Sequence, residues 1–161
     1  MTKDEFKQVF DNHFDSVRSY IYYRCGDTEL ATDIAQDVFT RVWEKQIRMD
    51  KGKPLNLLLK IGRDMFISNF RRKKVEMNFI SSLERDPQEA SPEEQLEYKE
   101  LESKYNQALI DLPEKQRTVF LMSRIENLKY YEIAEKLDIS VKAVEKRMKN
   151  ALAFLKNSLQ E

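Results

Sequence analysis

The sequence predicts an all-α protein made of two small helical domains joined by an acidic linker, and three observations carry that prediction. Apolar residues recur at intervals of three and four along most of the chain, and no stretch alternates as a strand would. Only 3 Gly and 4 Pro stand against 35% charged residues in 161, a balance that favours helix over turn-rich β structure. Residues 75–97 interrupt the periodicity with Ser81-Ser82, Pro87, Ser91-Pro92 and a run of acids, which divides the chain in two.

From Asp4 onward, Phe6, Val9, Phe10, His13, Phe14, Val17, Tyr20 and Ile21 trace one face of a long helix that Cys25-Gly26 ends. Asp27 suits the N-cap of a second helix, which turns Leu30, Ala31, Ile34, Ala35, Val38, Phe39 and Val42 inward. Its other side shows Asp33, Gln36, Asp37, Thr40, Arg41 and Glu44. Gly52 and Pro54 break the pattern, and residues 55–70 resume it with Leu58, Leu59, Gly62, Met65, Phe66 and Phe70. This third helix carries Lys60 and Arg63 and runs out into Arg71-Arg72-Lys73-Lys74. Three such helices suffice for one small domain over residues 1–75.

Residues 76–97 read as the acidic linker and residues 98–161 as the second domain, although Ser91 as cap and Pro92 at the first position can equally start a helix there. That helix takes in Leu96, Leu101, Tyr105, Ala108, Leu109 and Leu112. Pro113 opens the next, with Glu114 in its first turn and Val119, Phe120, Ser123 and Ile125 along it, and Asn127 stops it in a left-handed cap. Residues 130–149 then read as a helix-turn-helix. Ile133, Ala134 and Leu137 stripe the first helix, Val144 and Met148 the second, and Ala134 is the small residue at their crossing. Asp138 supplies the permissive turn, Ile139 plugs the corner, and Ser140 caps the second helix, which continues through Ala151, Leu152 and Leu155. Lys142, Ala143, Glu145, Lys146, Lys149 and Asn150 then face outward, a mostly cationic surface suited to a DNA major groove. Tyr130 and Tyr131 are expected to serve packing and backbone contacts rather than to read bases.

The formal net charge is zero, but its distribution is uneven. Residues 1–40 and 75–104 are net −4 and −6, whereas residues 41–74 and 141–156 are net +8 and +4. Two basic patches separated by acid suit a ligand with two polyanionic contacts, and the acidic stretches suit a basic partner. A single Cys25 excludes an intrachain disulfide and fits a reducing cytoplasm. The lone His13 sits on an apolar helical face, which favours a core or half-buried role over chemistry. No run is long enough to insert in a membrane, and the start Met1-Thr-Lys-Asp-Glu5 is no signal peptide, so a soluble cytoplasmic protein is expected. A glycine loop for phosphate, a Cys/His cluster for metal and a nucleophile with a placed base are all lacking, so neither enzyme activity nor a cofactor is expected.

Three stretches resemble the extracytoplasmic-function (ECF) sigma factors of bacteria. Asp33-Ile-Ala-Gln-Asp-Val-Phe-Thr-Arg-Val-Trp43 is similar to the region 2 helix that docks on core RNA polymerase. Leu57-Leu-Leu-Lys-Ile-Gly-Arg63 with Arg71-Arg-Lys-Lys74 resembles the part that binds and opens the −10 promoter element. Leu112-Pro-Glu-Lys-Gln-Arg-Thr-Val-Phe120 and the helix-turn-helix resemble region 4, which reads the −35 element. The resemblance implies polymerase docking by Asp33, Gln36, Asp37 and Thr40, with Phe39 and Trp43 holding that helix to its neighbours. It implies −10 contacts by Lys53, Asn56, Lys60, Arg63, Arg71 and Arg72, and −35 contacts by Ser140, Lys142, Ala143, Glu145, Lys146, Arg147 and Lys149. It further implies core RNA polymerase and promoter DNA as partners, and control by an anti-sigma factor, in this family often membrane-anchored. The chain departs from the pattern at Leu57 and Leu59, where an aromatic is common, at Asp64 in place of Asn, and at Asn127 and Asp138 in place of Gly. Two other readings stand beside it: a dimeric helix-turn-helix regulator with a helical sensor domain, and a protein adaptor whose acidic and basic faces both meet proteins.

Overall fold

Helix boundaries in the computed structural model follow local capping chemistry. The structure describes residues 1–49, 52–70, 76–83 and 91–160, apart from the side chains of 69 and 70. Helix α1 (Lys3–Cys25) starts in a capping box, with Thr2 accepting from the Glu5 N–H and Glu5 reaching back to the Thr2 N–H. It ends at Gly26, whose φ of 64° is left-handed. A Cβ there would lie 2.9 Å from both Met77 Cβ and Phe79 Cζ, so conformation and space alike require glycine. Asp27 caps α2 (Thr28–Glu44) by accepting from Leu30 N–H at 3.0 Å. Helix α3 (Pro54–Phe70) begins on its proline. Ser91 and Glu94 form the capping box of α4 (Pro92–Asp111), so this helix takes up the end of the stretch read as linker.

Helix α5 (Glu114–Glu126) stops at Asn127 with φ 54°, α6 (Tyr130–Leu137) stops at Asp138 with φ 54°, and α7 (Val141–Gln160) completes the chain. Asn and Asp serve here because their short polar side chains tolerate the left-handed region better than other non-Gly residues. Among the described residues every regular element is helical.

Two hydrophobic cores form. In the first, Val17 and Ile21 of α1, Ile34, Val38 and Phe39 of α2, and Leu58 and Phe66 of α3 are all sealed from solvent. Gly62 lets α3 approach α1, since a Cβ there would stand 3.2 Å from Ile21 Cδ1. Phe6, Phe10 and Phe14 ring Phe39 at centroid distances of 6.4, 5.1 and 5.8 Å, and Trp43 lies 5.2 Å from Phe6. Phe39 and Trp43 thus hold α2 to its neighbours, as the resemblance implied. The second core joins Ala108, Leu109 and Leu112 of α4 to Val119, Leu121, Ile133, Val144, Met148, Ala151 and Leu155. The first half of α4 departs from the expected pattern: Leu96 and Leu101 are 59% and 54% exposed.

The second core also takes in Tyr23 from α1 and Phe79 from the inter-domain stretch. Residues 84–90 of that stretch lie outside the described residues, but residues 76–83 pack closely. Asn78 N–H donates to Gly26 O at 2.8 Å, Phe79 N–H donates to Asn106 Oδ1 at 2.7 Å, and the Phe79 ring is fully buried. A short 3-10 turn follows at Ile80–Ser82.

Arg117 joins the two halves. Its guanidinium, 2% exposed, lies 5.0 Å from the Phe79 ring centroid. Nε donates to Tyr23 O at 2.8 Å and Nη2 to Arg24 O at 2.6 Å, both carbonyls at the C-terminus of α1. Nη1 donates to Leu109 O and Leu112 O at 3.3 and 3.2 Å, at the end of α4. Helix C-termini present unpaired carbonyls with partial negative charge, so one planar fork serves two helix ends at once. Burial pulls the Arg117 pKa down to about 10, which leaves it charged at neutral pH. Alongside it, Arg24 bridges to Glu114 at the start of α5, and Tyr23 Oη donates to Glu126 Oε2 at 3.1 Å. Arg117→Lys keeps the charge but cannot span both helix ends. It should lower the unfolding free energy by about 2 kcal/mol, seen as a lower urea midpoint; an unchanged midpoint would refute this account of the joint.

Candidate nucleic-acid and polymerase interfaces

The period of α2 separates its core side from its outer side cleanly. Asp33, Gln36, Asp37 and Thr40 are all exposed, while Ile34, Ala35, Val38 and Phe39 are buried. Asp37 and Thr40 also border a shallow cleft whose far wall is Met65 and Ser68 of α3. This is the acidic surface the sequence anticipates.

Along α3 the expected −10 residues divide. Lys53 and Lys60 are exposed, and Arg63 is half-buried with Nε 3.9 Å from Asp64 Oδ1. Arg71 and Arg72 lie outside the described residues. Leu59, in one of the positions where an aromatic is common, is 4% exposed and belongs to the core, so it cannot meet DNA in this arrangement. Leu57 at 36% and Ile67 at 39% present apolar surface instead, and Ile67 is a residue the sequence reading did not single out. Asn56 is engaged elsewhere: its Nδ2 donates to Glu135 O of α6 at 2.8 Å.

The helix-turn-helix forms as the sequence predicts. Ile133, Ala134, Val144 and Met148 are buried, and Ile139 packs on the same core. Ser140 Oγ accepts from the Ala143 N–H at 3.1 Å, which is the N-cap contact expected of it. Lys142, Glu145, Lys146 and Lys149 are exposed, and Ala143 and Arg147 are half-buried. Val144 and Met148 point inward four residues apart, so the cations between them must point outward. Tyr130 and Tyr131 are 37% and 59% exposed, because the apolar stripe of α6 runs through Ile133, Ala134 and Leu137, so packing accounts for only part of each ring.

Leu137 packs against both cores, and α6 rests against α3, with Lys136 near enough to act on His13 of α1. His13 is half-buried, and its pKa is held below the ordinary 6.5 by burial first and by the positive charge of Lys136 second. Burial likewise pushes the Cys25 thiol up to about 11, well away from a reactive thiolate. Among the described residues, no helix is long and apolar enough to cross a membrane.

Two sigma-70 families match this chain in order, region 2 over residues 9–75 and region 4 over residues 103–155. The chain belongs to the sigma-70 family of RNA polymerase sigma factors, in its ECF group. It is 30% identical to the ferric citrate uptake sigma factor FecI of Escherichia coli (strain K12), over 91% of this chain and 86% of that one. It is 26% identical to the ECF RNA polymerase sigma factor SigW of Bacillus subtilis (strain 168), over 99% and 91% of the two. The solved structure of the sigma factor RpoE, in complex with the anti-sigma factor NepR from Bartonella quintana, matches with a TM-score of 0.60 over 97% of each chain at 18% identity, which shows a shared fold.

The sequence reading missed the joint. Arg117 lies inside the quoted Leu112–Phe120 motif, and the signal was a cation entering an otherwise apolar stretch, Thr118-Val-Phe-Leu-Met122. The cap, by contrast, was legible. Ser140→Ala should cost about 1 kcal/mol of stability in the second domain through the orphaned Ala143 N–H, measured by thermal unfolding; no loss would mean the hydroxyl is not the cap.

Proposed function

We propose that this chain binds core RNA polymerase through the Asp33, Gln36, Asp37 and Thr40 face of α2 and directs initiation at promoters read by α3 and α7. The observation that carries this reading is the match of both sigma-70 regions in order, together with an acidic face on the first and a cationic face on the second. Complementary charge between the α2 face and a basic polymerase surface would set encounter rate and register. Lys53, Asn56, Lys60 and Arg63, with Arg71 and Arg72 beyond them, are assigned to the −10 element. Single strands are held by cationic grooves plus stacking, and here the exposed Leu57 and Ile67 would replace aromatic platforms. Lys142, Lys146, Arg147 and Lys149 are assigned to phosphates and base edges at −35, with Ser140, Ala143 and Glu145 on the same face. The chain would act without covalent chemistry, in the cytoplasm, where the polymerase is. Regulation by an anti-sigma factor is part of the reading, supported by the solved complex of the structurally similar RpoE with NepR.

Co-elution of the purified chain with bacterial core RNA polymerase on a sizing column tests the first step. Wild type should co-elute, and Asp37→Lys should weaken the complex about tenfold or more. Lack of co-elution by the wild type would remove the reading and favour a stand-alone helix-turn-helix regulator. With the holoenzyme in hand, Lys146→Ala should lower promoter affinity by roughly 1–3 kcal/mol, the range of a lost base-edge contact. Unchanged promoter occupancy would take Lys146 out of the interface.

A further inference from the structure

Helix α7 carries an anion where its other charges are positive. Over residues 141–156 the charged side chains are Lys142, Glu145, Lys146, Arg147, Lys149 and Lys156, so Glu145 is the single acid in this stretch. It is exposed, in the second turn of the helix that Ser140 caps. Val144 and Met148 point inward, which leaves Glu145 on the outer side with Lys142, three residues before it, and Lys149, four after.

The helix itself gives no reason for this carboxylate. The favourable effect of an acid on the helix dipole falls off within the first turn, and Glu145 lies beyond it. Lys142 and Lys149 stand at the spacings that suit ion pairs along a helix, yet among the described residues Glu145 forms neither an ion pair nor a side-chain hydrogen bond. It also takes no part in the core.

On a face that meets phosphates, a negative charge lowers affinity for every duplex alike. It is offset only where a base edge offers a donor without an acceptor. In the major groove that edge belongs to cytosine, whose N4 amino group donates. Guanine presents the acceptors N7 and O6, thymine presents O4 and a methyl group, and adenine sets the acceptor N7 beside its N6 donor. The guanine opposite such a cytosine in turn suits a lysine, and lysines flank Glu145 on the same side of α7. A recognition helix meets base edges with its N-terminal residues, which is where Glu145 stands.

We propose that Glu145 is a specificity-determining residue that selects a C·G pair at one position of the −35 element, accepting a hydrogen bond from cytosine N4 and repelling the acceptor edges of guanine and thymine. This role rests on the sigma-factor reading and deepens it: the cations of α7 supply affinity, and its anion supplies discrimination.

Glu145→Gln isolates the role, because glutamine keeps the size of the side chain, removes its charge and matches the N6 and N7 edge of adenine. Glu145→Ala removes the reading group altogether. Both variants should keep the wild-type urea midpoint, since the carboxylate is exposed and unpaired. Each chain, as holoenzyme with core RNA polymerase, is used to select duplexes from a promoter library randomised over the −35 element, and the bound fraction is sequenced. Wild type should favour C·G at one position by about tenfold or more over the other pairs. Glu145→Gln should move that position to A·T, and Glu145→Ala should level it, with preferences at the remaining positions unchanged. Both variants should also hold unrelated duplex more tightly than wild type. Identical base preferences in the three chains would overturn the proposal even alongside a uniform gain in affinity, for the carboxylate would then act as a charge alone. A wild type without a C·G preference anywhere in the element would overturn it as well. A wild type that fails to co-elute with core polymerase would remove the sigma-factor reading and this role together; one that co-elutes and selects promoters with no response to substitution at position 145 would remove this role alone.

Discussion

A buried guanidinium is stable only when its donors are met, and Arg117 meets them with backbone carbonyls from helices that belong to different halves of the chain. The C-termini of α1 and α4 each leave carbonyls that no helical N–H can reach. Bringing both ends to one cation satisfies them together, and it fixes the distance and angle between the two helices. Lysine could place a charge there but not a planar fork, so the residue type follows from the geometry. Much of the arrangement depends on this contact: the packing of α5 against the end of α1, the burial of Phe79 beneath the guanidinium, and through them the seating of α6 on α3.

The stretch between the domains is shaped by the same constraint. Its acids and prolines suit a solvated tether, yet residues 76–83 carry a fully buried phenylalanine and are tied by hydrogen bonds to Gly26 and Asn106. Gly26 ends α1 in a left-handed turn, and that turn leaves room for Met77 and Phe79 because it has no side chain. One glycine thus both stops a helix and admits the segment that closes the joint.

The candidate surfaces follow from helical period more than from any single residue. On α2, four residues of the segment 33–40 lie in the core, so its other four must face solvent. On α7, Val144 and Met148 bury themselves and thereby turn the lysines out. On α3 the same logic places Leu59 in the core and leaves Leu57 and Ile67 exposed.

The sequence by itself determined the seven helices of the described residues, the caps at Asp27 and Ser140, the stops at Gly26, Asn127 and Asp138, and which side of α2 and α7 faces outward, while the start at Ser91 stood open beside a linker. All of these are decided within a few residues along the chain, by capping chemistry and by the 3.6-residue period. The exposure of Leu96 and Leu101 was not legible, because an apolar residue is buried only if another element arrives to cover it. The joint was not legible either. Arg117 meets Tyr23 O across 94 positions and Asn56 meets Glu135 O across 79, in each case a side chain on a backbone carbonyl. Every residue carries such a carbonyl, so nothing in the identity of the acceptor marks it, and only the tertiary structure could decide which cation finds which helix end.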